Sequence, residues 1–545
     1  MFFGGKMFVY KLKKLLKRSL GEDIKIINTT FNKKNFSKSL NEFVKNNPNL
    51  ILQYSQFGKR KDKKEFYPAI KKIENGFYLL YKDLPKYDEK KYIPLEEIYT
   101  VRTGNPMNTK PFPMAKEYIL RIAFSKYLFR YPSIEGHVIA RSHFVNYLLR
   151  EGFQRNSQPG YDGLGIENII FSCSTTHAFN MILNTILRDE DVILMTGPNY
   201  GLFAVEPERL NGKVEILELK DEDNFYVNPM DLEKRIDEIN KNLKEKFKGK
   251  LDYVPKVVAF LNMNPHNPLG KVMNKNNIEI LKGIGDVCLK KGVFVIDDLI
   301  YRDLTFDQDN LATPMASFPK YFNNTITLFG LSKSYGLAGI RAGAIVAPIP
   351  ICNGIREKIF TTMDSLPVFQ VQALAGAYNG TNRRYRMAKK YFTPIIKEYK
   401  YRYEFLNALI NGISYIKDEK TKKKIIKDIK KYEKDKKMQS ILFKGIDKVK
   451  IRKNTYPESG FFAIIDFTDT KGYKYDGSLI KNETDLIKYL YKKSKFKCIM
   501  GQNMSWPYEN EIIARFNFAI EKKDLINNIK MLHKALNEEF VCVEK

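Results

Sequence analysis

A chain of 545 residues with 43% hydrophobic and 13% aromatic residues can bury a sizeable core. Wholesale disorder is excluded, and the length leaves room for two large domains or roughly three of about 150 residues. Lys and Arg number 92 against 62 Asp and Glu, a formal charge of +30, which bears on association and solubility and not on fold. From the N-terminus, MFFGGKMFVYKLKKLLKRSLG is basic and partly apolar but lacks the continuous apolar region and small-residue cleavage site of a signal peptide. It predicts a basic amphipathic first helix. Residues 1–98 are polar and lysine-rich and carry no chemical motif, an N-terminal extension of unknown role.

From about residue 99 to 365, short β-branched runs alternate with helical patterns, which predicts α/β architecture. Seven candidate strands of one large, mostly parallel sheet are NIIFSCS (168–174), VILMTG (192–197), KVEILEL (213–219), KVVAFLNM (256–263), VFVIDD (293–298), TITLFGL (325–331) and RAGAIVA (341–347). From 366 to 545 longer helices precede FFAIIDF (461–467) and IIARFNFAI (512–520), a second, smaller α+β domain. Two lysine-dense stretches, 234–250 and 417–437, have interspersed acids at helical spacing and read as solvated helix faces, the second as a surface insertion. Aromatics are not interleaved with these lysines, so nucleic acid is not expected as a partner. No apolar run approaches the ~18 residues of a membrane span, and no membrane partner is expected. The five cysteines (Cys173, Cys288, Cys352, Cys498, Cys542) are far apart with no C-x-x-C pair. A reducing, cytoplasmic setting without a structural metal is the expectation.

Chemistry concentrates after three of the strands. In LFGLSKSYGLAGIRAGAIVAP (328–348), Lys333 follows a strand end, a glycine-containing turn comes next, and Arg341 stands eight residues on. Open α/β sheets place ligands at the carboxyl ends of strands, and desolvation there lowers an ammonium pKa so that the amine can attack a carbonyl. NMNPHNPLGK (262–271) follows KVVAFL, and by itself is an ordinary Asn-Pro turn. VFVIDDLIYRDL (293–304) sets Asp298 and Tyr301 three apart past a third strand, where an Asp more commonly caps a helix.

Together and in this order, Asn264 to Gly270, Asp298 to Tyr301, and Leu331 to Arg341 resemble the class I/II aminotransferases, the fold type I enzymes that use pyridoxal 5′-phosphate. The resemblance spans about residues 100 to 530 and implies a large cofactor-binding domain over 99–365 and a small domain over 366–545. It implies that Lys333 holds the cofactor as a Schiff base and then moves the proton between the substrate Cα and the cofactor. Asp298 is implied beside the ring nitrogen, Asn267 and Tyr301 at the 3′-oxygen, and Tyr200, in GPNYGLF, stacked on the ring. Ser174, Thr175 and Thr176, in SCSTTHAF, occupy the family's phosphate loop, joined by Ser332 and Arg341. Tyr131, in YPSIEG, matches the tyrosine that reaches the phosphate of the neighbouring subunit. Arg515, in IIARFNFA, and the backbone at Gly104, in VRTGNP, match the groups that bind the substrate α-carboxylate.

The implied function is transfer of an amino group from an L-amino acid to a 2-oxo acid, in a homodimer or larger assembly with shared sites. A lyase or decarboxylase on the same scaffold, aspartate 4-decarboxylase-like, is the alternative. A transcriptional regulator with an aminotransferase-like domain ranks below both, because residues 1–98 show no helix-turn-helix pattern and Arg515 is present. The chain departs from the family pattern at Gly330, where Ser is frequent, at Leu269, where Thr is usual, and in the Ser-Thr-Thr form of the phosphate loop. Of the five histidines, His177 and His266 are the two near the implied site.

Overall fold

The structure, a computed structural model, describes residues 101–537 except Asn105 and 107–109. The expected first helix and the 1–98 extension lie outside them. The described residues belong to one compact unit, Ile93–Lys545.

After α1 (Pro113–Ala123) and α2 (Val138–Arg150), strands and helices alternate: β1 (Ile169–Ser172), α3 (Thr175–Ile186), β2 (Val192–Gly197), α4 (Gly201–Arg209), β3 (Lys213–Glu218) and α5 (Pro229–Phe247). The alternation continues through β4 (Val257–Met263), α6 (Ile278–Lys291), β5 (Phe294–Asp298), β6 (Thr325–Gly330) and β7 (Gly343–Val346). These strands form one seven-stranded sheet in the order β1-β7-β6-β5-β4-β2-β3, with β7 alone antiparallel to its neighbours. All seven expected strands are present within one or two residues of their predicted bounds.

The reason is visible in burial. Strands β2, β4 and β6 are buried along their whole length, as expected where helices cover both faces of a parallel sheet. Alternate side chains go to opposite faces: Val192 and Leu194 pack with Leu232 and Ile236 of α5 and Leu281 of α6. Ile193 and Met195 pack instead with Phe179 and Ile182 of α3 and Ile355 of α7 (Ile349–Met363). Edge strand β3 is partly exposed.

The chain then runs through α8 (Val368–Ala377) and the 30-residue α9 (Asn382–Asn411). Two lysine-rich helices follow, α10 (Glu419–Tyr432) and α11 (Lys436–Lys444). A four-stranded antiparallel sheet is ordered β12-β13-β9-β8, from β8 (Lys450–Ile451), β9 (Phe462–Asp466), β12 (Ile499–Met500) and β13 (Ile513–Asn517). Helices α12 (Glu483–Ser494) and α13 (Lys522–Leu536) cover it, and a two-stranded hairpin, β10 (Lys474–Tyr475) with β11 (Ser478–Leu479), lies alongside in sequence. Only Ile425 and Ile429 of α10 are buried, so this lysine-rich helix does present a solvated face. No described helix is long and apolar enough to cross a membrane. The four described cysteines are free thiols.

Candidate active site

Five chain segments leave the carboxyl ends of β1, β2, β4, β5 and β6 at the same edge of the sheet, where a parallel sheet binds ligands. Register sets their heights. Met263 pairs with Asp298, and Asp298 with Leu328, so the last residues of β4 and β5 are level with β6 two residues before its end.

After β1, Ser174 caps α3 and accepts the His177 N–H on its Oγ at 3.0 Å. The side chains of Ser174, Thr175 and Thr176 thus stand at the positive end of a twelve-residue helix, a natural seat for an anion. Arg341 faces the same place from the turn before β7. It is exposed and left-handed in backbone (φ 57°), and its Nη1 donates to the Ala338 carbonyl at 3.1 Å. A non-glycine residue in that conformation is strained, and such strain concentrates at working sites.

At the end of β5 stand two consecutive acids, and the strand's alternation separates their roles. Asp297 turns away and accepts from Asn262 Nδ2 at 2.8 Å and the Met315 N–H at 2.9 Å. Asp298 faces the site, 3% exposed, accepting the Ile300 N–H at 3.1 Å. Burial pushes its carboxyl up to about 7, with Asp297 adding to the push and Lys333 opposing it. After β6, Lys333 donates its Nζ to the Gly104 carbonyl at 2.8 Å. Burial brings this amine down to about 8, and the cations Arg515 and Arg341 act in the same direction. A sizeable share of Lys333 is therefore the neutral, nucleophilic amine near pH 8.

Arg515 reaches the site from β13. It is 7% exposed, donates Nη1 to Asn267 Oδ1 at 3.2 Å, and lies 4.0 Å from the centre of the Phe462 ring. Its buried Nε has no partner, and among the described residues no carboxylate is within ion-pair distance. A buried cation without a counter-ion is expensive, so this geometry calls for an anion beyond those the described residues supply.

A cavity of about 140 Å³ is lined by Lys333, Asp298, Tyr301, Asn267, Tyr200, Ser332, Ser174, Thr175, Thr176, Arg341, Arg515 and Gly104. Tyr131 is the one expected site residue not among them; it is 88% exposed. Sequence reasoning missed Phe203, Met263, Pro265, Ile300 and Phe462, which complete the wall. They are ordinary apolar or proline residues of strands, a helix and turns, and no local signal marks them. The departure at Gly330 has a steric cause: a Cβ there would sit 2.4 Å from Ile300 Cδ1 and 2.9 Å from Thr175 Cγ2. Neither histidine lines the cavity. His177 Nδ1 accepts the Cys173 N–H at 3.3 Å, and His266 Nε2 is 2.9 Å from Thr196 Oγ1.

These residues fit pyridoxal 5′-phosphate. The cavity joins an anion seat, a partly deprotonated amine and an enclosed carboxyl, and the orphaned guanidinium of Arg515 points to a further anionic group.

Comparison with known proteins agrees with this geometry. Residues 103–494 match the family model "Aminotransferase class I and II". The chain is 23% identical over 371 residues to a probable aspartate/prephenate aminotransferase of Aquifex aeolicus, covering 68% of this chain and 76% of that one. It is 27% identical over 221 residues to the cystathionine beta-lyase PatB of Bacillus subtilis, 39% of this chain and 51% of that one. A crystal structure of an aminotransferase from Escherichia coli superposes with a TM-score of 0.60 at 17% identity, over 81% of this chain and 90% of the other. The chain belongs to the class I and II aminotransferase family, whose cofactor is pyridoxal 5′-phosphate.

Proposed function

We propose that this enzyme transfers the amino group of an L-amino acid to a 2-oxo acid, with Lys333 as the residue that carries the cofactor and then the proton. The observation that supports it best is the meeting of Lys333, Asp298, Asn267 and Arg515, from four separate segments, on one cavity. Pyridoxal 5′-phosphate, when bound, supplies the electron sink for a carbanion at the substrate Cα.

The chain's own residues do the rest. Ser174, Thr175, Thr176 and Ser332 offer hydroxyls, and Arg341 a guanidinium, to the phosphate. Asp298 at the enclosed end holds a proton on the ring nitrogen; a cation brought beside it draws its raised pKa back down. Asn267, with its Oδ1 occupied by Arg515, has its amide N–H groups left for the 3′-oxygen. Tyr301 donates to the same atom, and Tyr200 covers one face of the ring. Arg515 binds the α-carboxylate, which satisfies its orphaned Nε. Lys333, with its pKa near 8, would take the Cα proton and return it to the cofactor carbon on the other side of the imine nitrogen.

We further propose a homodimer in which Tyr131 serves the partner's site. Leu120, Phe124, Tyr127, Phe129, Tyr131, Val138 and Ile139 are all exposed within twenty residues of chain, an apolar strip that marks an interaction surface. The free thiols support a reducing, cytoplasmic location. A second reading, elimination or decarboxylation on the same scaffold, is favoured by the likeness to a protein named as a cystathionine beta-lyase.

One set of assays tests the proposal. Purified enzyme is expected to show the near-visible absorbance of the lysine-bound cofactor, and Lys333→Ala to lose it. A panel of amino donors with 2-oxoglutarate, including aspartate, is expected to yield 2-oxo acids. Release of CO2, or of a thiol together with ammonia, without conversion of 2-oxoglutarate to glutamate would replace transamination by the second reading.

A further inference from the structure

The two residues that follow Lys333 are tied to the segment that carries Asp298 and Tyr301, Ser334 directly and Tyr335 through Arg384, and neither lines the cavity. Ser334 is 1% exposed and donates its Oγ to the Ile300 carbonyl at 3.2 Å. Tyr335 is fully buried. Its hydroxyl accepts from Arg384 Nη2 at 2.6 Å. Arg384 in turn stands 3.7 Å from Asp303 and anchors its own Nε on the Ala377 carbonyl at 3.0 Å. Next along the chain, Arg302 pairs with Glu151 at 2.6 Å and donates to the Tyr147 hydroxyl at 3.2 Å.

Two guanidiniums and the Asp303 carboxylate thus lie buried behind the site, with the largely enclosed Glu151 completing a set of two cations and two acids. Stability alone does not explain them, since well-packed apolar residues of the same volume serve a core as well or better. What such a network does supply is a single arrangement of the groups it joins. Here those groups are the lysine loop, the turn after β5 and the first turn of α9.

We propose that Ser334 and Tyr335 are positioning residues for Lys333: backed by Asp303 and Arg384, they hold the amine at a fixed distance and angle from Asp298. The proposal rests on the reading of Lys333 as the residue that carries the cofactor. The charged groups that face Lys333 itself are Arg515, Arg341 and Asp298. A small shift of the loop changes its distance to all three, and with it the proton affinity of the nitrogen.

The test uses holoenzyme. Tyr335→Phe keeps the ring and its edge-on contacts with Phe112 (5.3 Å), Tyr378 (5.2 Å) and Phe392 (5.6 Å) and deletes only the hydroxyl. The near-visible band of the wild type and the variant is titrated with pH. The midpoint is expected to move by about half a pH unit or more. The value of kcat is expected to fall about tenfold, with KM for the amino donor nearly unchanged. A lower melting temperature with midpoint and kcat unchanged would show a purely structural role and overturn the proposal. If Tyr335→Phe does not fold, Ser334→Ala is judged by the same two readouts. A wild-type enzyme that lacks the band, or keeps it in Lys333→Ala, defeats the reading of Lys333 itself, and is seen before any loop variant is compared.

Discussion

Lys333 shows how strongly a few neighbours set the chemistry of one side chain. An ordinary lysine, near 10.5, is almost wholly protonated at neutral pH, whereas here burial and two arginines bring the amine down to about 8. The sign follows from linkage: the folded chain binds fewer protons at this site than the unfolded chain between about pH 8 and 10.5. The cost of burying the ammonium is complete below pH 8 and is relieved as pH rises through that window. In cofactor-free enzyme, modification of Lys333 by an amine-directed reagent, followed by mass spectrometry, is expected to titrate with a midpoint near 8. Arg515→Met removes a repelling cation and raises the midpoint; Asp298→Asn removes an attracting anion and lowers it. A midpoint at the ordinary lysine value in the parent protein would show that the amine is solvated and would undo this electrostatic account.

At the scale of elements, the seven strands were legible because a strand covered on both faces must be a short, unbroken apolar run. The loops that end them were legible through Asn, Asp, Lys and Arg at family spacing. What the sequence hid are contacts between distant segments. Nothing local announces that Arg515 bonds Asn267, 248 positions away, or that Ser334 bonds Ile300. Gly330 belongs to the same class. From sequence it looked like a lost hydroxyl, whereas in the fold it is the space in which β6, the first turn of α3 and the turn after β5 meet. Gly330→Ser is therefore expected to destabilise the enzyme by about 1–3 kcal/mol through overpacking. Ile300→Ala in the same chain is expected to recover part of the loss, since it removes the nearer clash. Denaturant midpoints of the two variants check this, and a Gly330→Ser enzyme as stable as the parent would show that the neighbours yield freely.

On the scale of the whole molecule, the charge of +30 explains less than its size suggests. In the lysine-rich α10, the acids are used for structure: Asp418 caps the helix, Asp428 pairs with Lys522 and Glu433 with Lys530. Exposed lysines are left on the outer face, and none of this bears on the cavity. The apolar strip around Tyr131 is different, because it is concentrated and contains the one expected site residue that does not line the cavity. If Tyr131 of one protomer completes the site of the next, two defective chains can repair each other. Lys333→Ala lacks the amine in its own site yet donates a sound Tyr131, while Tyr131→Ala keeps its amine but donates nothing. A mixed dimer then holds one intact site and one that lacks both groups. Random reassortment of equal amounts is expected to restore about a quarter of the wild-type rate, half of the dimers being mixed and each having one working site. The measurement is the transaminase rate after the two variants are unfolded and refolded together, against each refolded alone. A mixture that gives only the average of its parents would mean that Tyr131 acts within its own chain or not at all.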